Sequence, residues 1–198
     1  MTTPQDLNTL IRSRRSVYPK QYSRQAVDQE IIAQMLENAN WAPNHRKTEP
    51  WRFVVFGGSQ LEALAQFQAE QYKLHTPAEA FDQAKYDKVL VNFSSPAYAI
   101  AIALKRHEKL LPEYEEIAAV SCAVQNMLLT AAAYGLGAFW STGGITNLAP
   151  AKVPFFEWAG LPLGEEDLLM GFVMVGHYEV EIPDNARKPI QEKCIWRI

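Results

Sequence analysis

The segment Trp41-Ala42-Pro43-Asn44-His45-Arg46-Lys47-Thr48-Glu49-Pro50-Trp51 gathers two tryptophans, two prolines, a histidine and two cations into one short loop. Indole faces stack on flat molecules and cations attract negative charge, so the run suits a grip on something flat and anionic. Core packing of the two indoles is the structural alternative. Arg14-Arg15-Ser16 ends an expected first helix with two guanidiniums and a hydroxyl. Paired guanidinium donors fit phosphate oxygens, although cations in a last helical turn also simply offset the helix dipole. Trp140-Ser141-Thr142-Gly143-Gly144 follows a short apolar stretch. Small hydroxyl residues and glycines there can turn backbone N–H groups toward an anion or a ring carbonyl, and an ordinary turn has the same composition. Arg187-Lys188-Pro189 adds a late basic turn.

The remaining inventory excludes several chemistries. His75, His107 and His177 are scattered singly, and no second His or Cys stands at ligand spacing from His45, so no metal is expected. There is no GxSxG, GxGxxG or Walker loop. The net charge of −3 argues against a dedicated nucleic-acid binder. With 48% hydrophobic and 21% charged residues the chain can bury a globular core. Cys122 and Cys194 form no CxxC pair and read as reduced structural thiols, Cys122 within an apolar helical run. Met1 to Asp6 is polar, and no apolar run approaches the ~18 residues of a membrane span. A soluble, cytoplasmic protein with no membrane partner is expected.

The elements that must position these groups follow from periodicity. Leu7, Leu10 and Ile11 predict a helix running to about Arg14, and Ile31, Ile32, Met35, Leu36 and Ala39 a second over 28–40, capped by Asp28. Trp51 to Phe56 reads as a strand stopped by Gly57-Gly58, and Ser59-Gln60-Leu61-Glu62 as a capping box for a third helix. A polar helical stretch lies around 78–91, and Pro96 to Leu104 reads as a buried strand. Glu113 to Tyr134, apolar nearly all round from Ile117, predicts a long central buried helix ended by Gly135. Ala138 to Trp140 and Leu168 to Val175 complete the strands. The polar tail from Pro183 ends in Cys194-Ile195-Trp196-Arg197-Ile198, which should pair into the sheet or pack on a partner subunit. The class is α+β in one domain over 1–198.

In order along the chain, Arg14-Arg15-Ser16, Ala39 to Arg46, Glu49 to Phe53, Tyr134 to Gly137, Trp140 to Gly143 and Arg187 to Ile190 resemble the FMN-dependent nitroreductases. The similarity is to the small subgroup of YdjA-type NAD(P)H nitroreductases. It implies a central, mostly antiparallel sheet flanked by helices, in a homodimer with FMN at the interface and tails embracing the partner. It implies that Arg14, Arg15, Ser16 and Arg187 hold the phosphate and ribityl end, and that Trp41, Asn44, His45, Trp140, Ser141, Thr142 and Gly143 contact the flavin. Trp41 and Arg46 would shape the substrate pocket.

The implied reaction is ping-pong hydride transfer from NADH or NADPH to flavin N5, then to a nitroaromatic, quinone-like or other small aromatic acceptor. The chemistry would reside on the cofactor and need no catalytic side chain. The same fold could also carry a dehydrogenase or a flavin-binding sensor. Three positions depart from the family pattern: Glu49 replaces a glutamine, Ser141 an arginine, and Tyr18 a lysine. The last change leaves Arg15 or Arg46 as candidates for a cation at the flavin N1/C2=O edge.

Overall fold

Alternation along β2 (Tyr98–Leu104) builds the centre of the molecule. Ile100, Ile102 and Leu104 face one side and Ala99, Ala101 and Ala103 the other, and all six are buried. A strand covered on both faces reads as an unbroken apolar run. The computed structural model describes residues 3–183 and 186–198, which leaves Met1-Thr2 of the N-terminal reading and residues 184–185 of the expected tail outside the described residues. β2 lies between β1 (Trp51–Gly57) and β4 (Leu168–Gly176), and β3 (Gly137–Ser141) pairs with β4. All three pairings are antiparallel, in the order β1-β2-β4-β3. The expected α+β class and flanked antiparallel sheet are both present.

α2 (Gln29–Asn40) and α5 (Glu113–Ala133) cover one face, packing Ile32, Met35, Val120, Val124 and Met127 on Ile100, Ile102, Val173 and Val175. α3 (Ser59–Leu74), α4 (Gln83–Ser94) and α6 (Lys152–Trp158) cover the other. The alanine face of β2 leaves room there for rings. Phe93 and Phe155 meet Phe172 edge-on, with centroids 5.2 and 5.5 Å apart.

Some local expectations change. α3 is capped by Gly58 with no side-chain bond, so Ser59 is its first residue and not a capping box. A capping box does occur at α1 (Pro4–Ser13), where Thr3 and Asp6 bond reciprocally. Gly135 ends α5 as expected: Leu136 N–H bonds the Ala131 carbonyl at 2.9 Å and Gly135 N–H that of Ala132 at 3.1 Å. Yet α5 is buried along one face only; Ala118, Cys122 and Gln125 on its back are exposed. It has the length and hydropathy of a membrane span, but half of that window lies inside the core. Cys122 and Cys194 are free thiols, both exposed. Among the described residues the C-terminal tail does not join the sheet, and Ile195, Trp196 and Ile198 are exposed.

The first turn of α5 is anchored by charge. Glu116 is buried and receives the Arg106 guanidinium, together with the His107 backbone N–H at 3.1 Å and ring Nδ1 at 2.7 Å. Buried Asp167 accepts from Arg106 N–H at 2.7 Å and Gly164 N–H at 2.8 Å. The segments after β2 and before β4 are thereby tied to the start of α5. Truncating one partner of a buried pair leaves the other charge uncompensated. Glu116→Ala should therefore lower stability by roughly 3–5 kcal/mol, read from the urea midpoint at unchanged slope; a loss below ~1 kcal/mol would mean that the anchor is dispensable.

Candidate functional site

After α1 the chain turns across the edge strand β3. Arg14 caps α1 in an extended conformation, Ser16 bridges Ala138, and Val17 N–H bonds the Ala138 carbonyl at 3.2 Å. This approach needs Gly137, where a Cβ would lie 2.7 Å from that of Val17. The Tyr22 hydroxyl, 2.9 Å from the carbonyl oxygens of both Val17 and Met174, closes the other end of the segment. Burial raises the Tyr22 phenol well above its ordinary pKa, so it remains a neutral donor.

The segment so fixed presents Arg14, Arg15 and Ser16 to a cavity of about 400 Å³ that Arg187 enters from the far end of the sequence. Burial first, then the charges of Arg15 and Arg187, pull the Arg14 pKa below its usual value. Arg14 stays charged at neutral pH, so the fold holds like charges together there. An anion bound there would relieve that repulsion.

A second cavity of about 450 Å³ shares Tyr18 and Lys20 with the first and runs along α4 to the loop after β3. Phe139 forms a wall, its ring centroid 4.6 Å from that of Tyr18. Ser141, Gly143 and Gly144 form the floor. Gly144 has φ +65, and a Cβ on it would lie 2.3 Å from Gln68 Oε1. That oxygen instead accepts the Ile145 N–H at 3.0 Å, so α3 props the loop from beneath. Thr142 is exposed beside these residues. Trp140 does not join them. Strand alternation turns it to the opposite face, against the α2–α5 core, where its indole N–H donates to the Met170 carbonyl at 3.0 Å.

The tryptophan loop lies elsewhere, leading into β1. Its two indoles have opposite fates. Trp51 is 5% exposed and donates to Asn40 Oδ1 at 3.1 Å, whereas Trp41 is 78% exposed and tethered to Glu37 at 3.0 Å. Asn44 braces the loop: its Oδ1 accepts the Glu49 N–H at 3.2 Å. His45 Nδ1 lies 2.6 Å from Glu115 Oε2 in the first turn of α5, which directs Nε2 away from that carboxylate. Arg46, Lys47 and Glu49 all have positive φ, at 54, 55 and 44 degrees. Such residues are held only where the surroundings over-determine them. The cavities around the arginines include none of Trp41, Asn44, His45 or Arg46.

One chain therefore brings Arg14, Arg15, Ser16, Arg187, Ser141 and Gly143 to two joined cavities and displays Trp41, His45 and Arg46 on another surface. Sequence reading passed over Lys20, Lys88, Asn92 and Glu115. A Lys–Asn pair one helical turn apart carries no signal until α4 lines the same cavity as β3.

The family model for the nitroreductase family matches residues 11–177. The chain is 31% identical over 147 residues to "Putative NAD(P)H nitroreductase YfhC" of Bacillus subtilis (strain 168), covering 70% of each chain. Among solved structures, a nitroreductase-like family protein from Bacillus cereus superposes with a TM-score of 0.78 at 26% identity, covering 100% of this chain and 98% of that one. A Desulfovibrio desulfuricans nitroreductase-type protein in complex with FMN gives 0.70 at 26% identity, with the same coverage.

The loop strain is testable. A glycine adopts positive φ without the side-chain penalty but loses more entropy on folding. Lys47→Gly should raise stability by roughly 0.5–1 kcal/mol and Tm by a few degrees; a lower Tm in calorimetry would show that the Lys47 side chain outweighs its backbone strain.

Proposed function

The chain belongs to the nitroreductase family, and from that premise we propose that it is a single FMN-binding domain acting as an NAD(P)H-dependent oxidoreductase. The observation that carries this reading is the convergence of Arg14, Arg15 and Arg187 on one cavity that continues into a second beside the 141–144 loop. A phosphate at one end and a flat, polar-edged ring at the other match that layout. The donor set fits: guanidiniums and the Ser16 hydroxyl suit phosphate oxygens, and the aromatic side chains of Tyr18 and Phe139 with the loop glycines suit a ring. The relatives named for nitroreductase activity, one of them solved with FMN, support the same reading.

FMN, when bound, supplies the hydride relay between the nicotinamide and an oxidised acceptor such as a nitroaromatic or quinone. Nicotinamide and acceptor would occupy the cavity beside the 141–144 loop in turn, the order of a ping-pong reaction. The protein's part is to hold and orient. Arg14 and Arg187 would clamp the phosphate, Ser16 would add a hydroxyl donor, and the propped 141–144 loop would meet the ring.

A homodimer completes the site. α1 has no buried residue, although Leu7 and Ile11 make it amphipathic. The back of α5 is open, and the tail exposes Ile190, Ile195 and Trp196. These apolar surfaces suit an isologous interface. Across it, Trp41 of the partner subunit offers a free indole face to the acceptor, and His45 of the partner subunit a ring held by its carboxylate.

Two outcomes are expected. The purified protein shows a flavin spectrum that NADPH or NADH bleaches, and Arg14→Ala with Arg187→Ala weakens FMN binding at least about 100-fold, since hydrogen bonds to charged groups contribute ~1.5–3 kcal/mol each. A double variant that purifies fully flavin-loaded would refute the phosphate assignment. Sedimentation should give twice the 22.4 kDa chain mass, and deletion of residues 190–198 should lower both the dimer fraction and the flavin content. A wild-type monomer that retains FMN at micromolar concentration would rule out the shared site.

A further inference from the structure

Among the described residues the buried polar side chains are Gln68, Glu116, Thr130 and Asp167. Glu116 and Asp167 anchor the segments around the start of α5, and Thr130 bonds Asn126 and Asn38 at 2.8 Å. Gln68 stands apart. It lies on α3 with no exposed surface, and Leu64, Ala65 and Tyr72, one turn away on the same helix, are buried apolar residues. Its Oε1 accepts the Ile145 N–H at 3.0 Å, and its Nε2 has no partner among the described residues. A carboxamide buried with half of its capacity unused costs the fold free energy. A methionine would fill similar space without that cost, so the stability of α3 gives no reason for a glutamine here.

The bond it does make is directed at the cofactor loop. The helical turn Gly144–Asn147 starts at Gly143, which supplies no side-chain cap. The first N–H groups of such a turn lack partners within it. Gln68 provides from a different helix the acceptor that a local Ser or Asp would otherwise provide. Contact is close as well: a Cβ on Gly144 would lie 2.3 Å from Gln68 Oε1 and 3.6 Å from Phe93 Cε2, at φ +65. Only a residue without a Cβ lets the loop rest on the carboxamide in this way. At its other end the loop is fixed by the pairing of Ser141 with Phe172 in the sheet. Ser141, Gly143 and Gly144 line the ring cavity, whereas Gln68 lies beneath them and outside its lining.

We propose that Gln68 is a positioning residue: from α3 it caps the 144–147 turn and so fixes the 141–144 loop at the height that the ring half of the cofactor requires. This proposal rests on the FMN reading above. Gln68 acts through the loop and touches no ligand. Its contribution to ring binding is therefore separable from its contribution to stability, and from the phosphate half held by Arg14 and Arg187.

Two flavins divide the site. FMN engages both halves, and lumiflavin, a ring without ribityl or phosphate, engages the ring half alone. The test is titration of the apoprotein with each, for wild type, Gln68→Met and Gln68→Glu. Gln68→Met should weaken lumiflavin binding about tenfold, the worth of one lost hydrogen bond, while Tm stays within ~5 °C of wild type. Gln68→Glu, which restores an acceptor, should recover most of the affinity. Arg14→Ala should show the converse, weaker FMN and unchanged lumiflavin. In wild-type apoprotein, hydrogen exchange should find the Ile145 amide protected relative to that of exposed Thr142. A folded Gln68→Met protein that binds lumiflavin as wild type does, or an Ile145 amide that exchanges as fast as that of Thr142, overturns the proposal and leaves the FMN reading standing. A Gln68→Met protein that melts more than ~5 °C lower makes Gln68 a structural residue and also overturns it. A wild-type protein that takes up neither flavin overturns both readings.

Discussion

Both faces of the central strands β2 and β4 are buried, so the polar work of this chain is confined to the ends and edges of the sheet. β2 sets the constraint: isoleucines and a leucine on one side and alanines on the other leave no polar position within this central strand. The candidate ligand groups are therefore carried by the edge strand β3 and by segments that leave or cross the sheet. The stretch from Arg14 to Tyr22 crosses the edge strand β3, the 141–144 loop leaves its end, and the tryptophan loop enters β1.

Strand order then separates these segments. β1 and β3 are the two outer strands, with β2 and β4 between them, which places them roughly 14 Å apart at about 4.8 Å per strand spacing. The arginine turn and the 41–49 loop are held at opposite edges of a stiff, close-packed body. In the homodimer proposed above, a ligand that uses both would draw on two copies of the chain. The exposed apolar stripe of α1, the open back of α5 and the unpaired tail are the surfaces that such a pairing would cover. The separation of the two segments follows from the strand order.

The sequence made the strong periodic elements legible. α5, β1, β2 and β4 lie within a few residues of their expected ends, and Arg187 lines the same cavity as Arg14. Where reading failed, the deciding physics was not local. Trp41 and Trp51 are the same residue type ten positions apart, yet one caps a helix end in the open while the other enters a covered strand. Trp140 sits next to Ser141, but a period of two sends it to the other core. Ser59 had the spacing of a cap, and the glycine before it took that position. Lys88 and Asn92 have ordinary surface composition; only the cavity that α4 lines together with β3 gives them something to face.

The tryptophan loop shows why a segment outside the packed core can still be a precise tool. Three non-glycine residues held at positive φ would relax in a free loop, because each costs of order 1 kcal/mol or more. They stay because Asn44 ties the loop to itself at Glu49 and Glu115 ties His45 to α5. The first turn of α5 is in turn immobilised by the buried pair of Glu116 with Arg106 and by His107. Buried charge thus rigidifies a helix end, the helix end fixes a histidine, and the histidine fixes a loop that leaves an indole in the open. A group ordered before its ligand arrives loses less entropy on binding, so the strain in this loop and the exposure of Trp41 are complementary features of one preorganised surface.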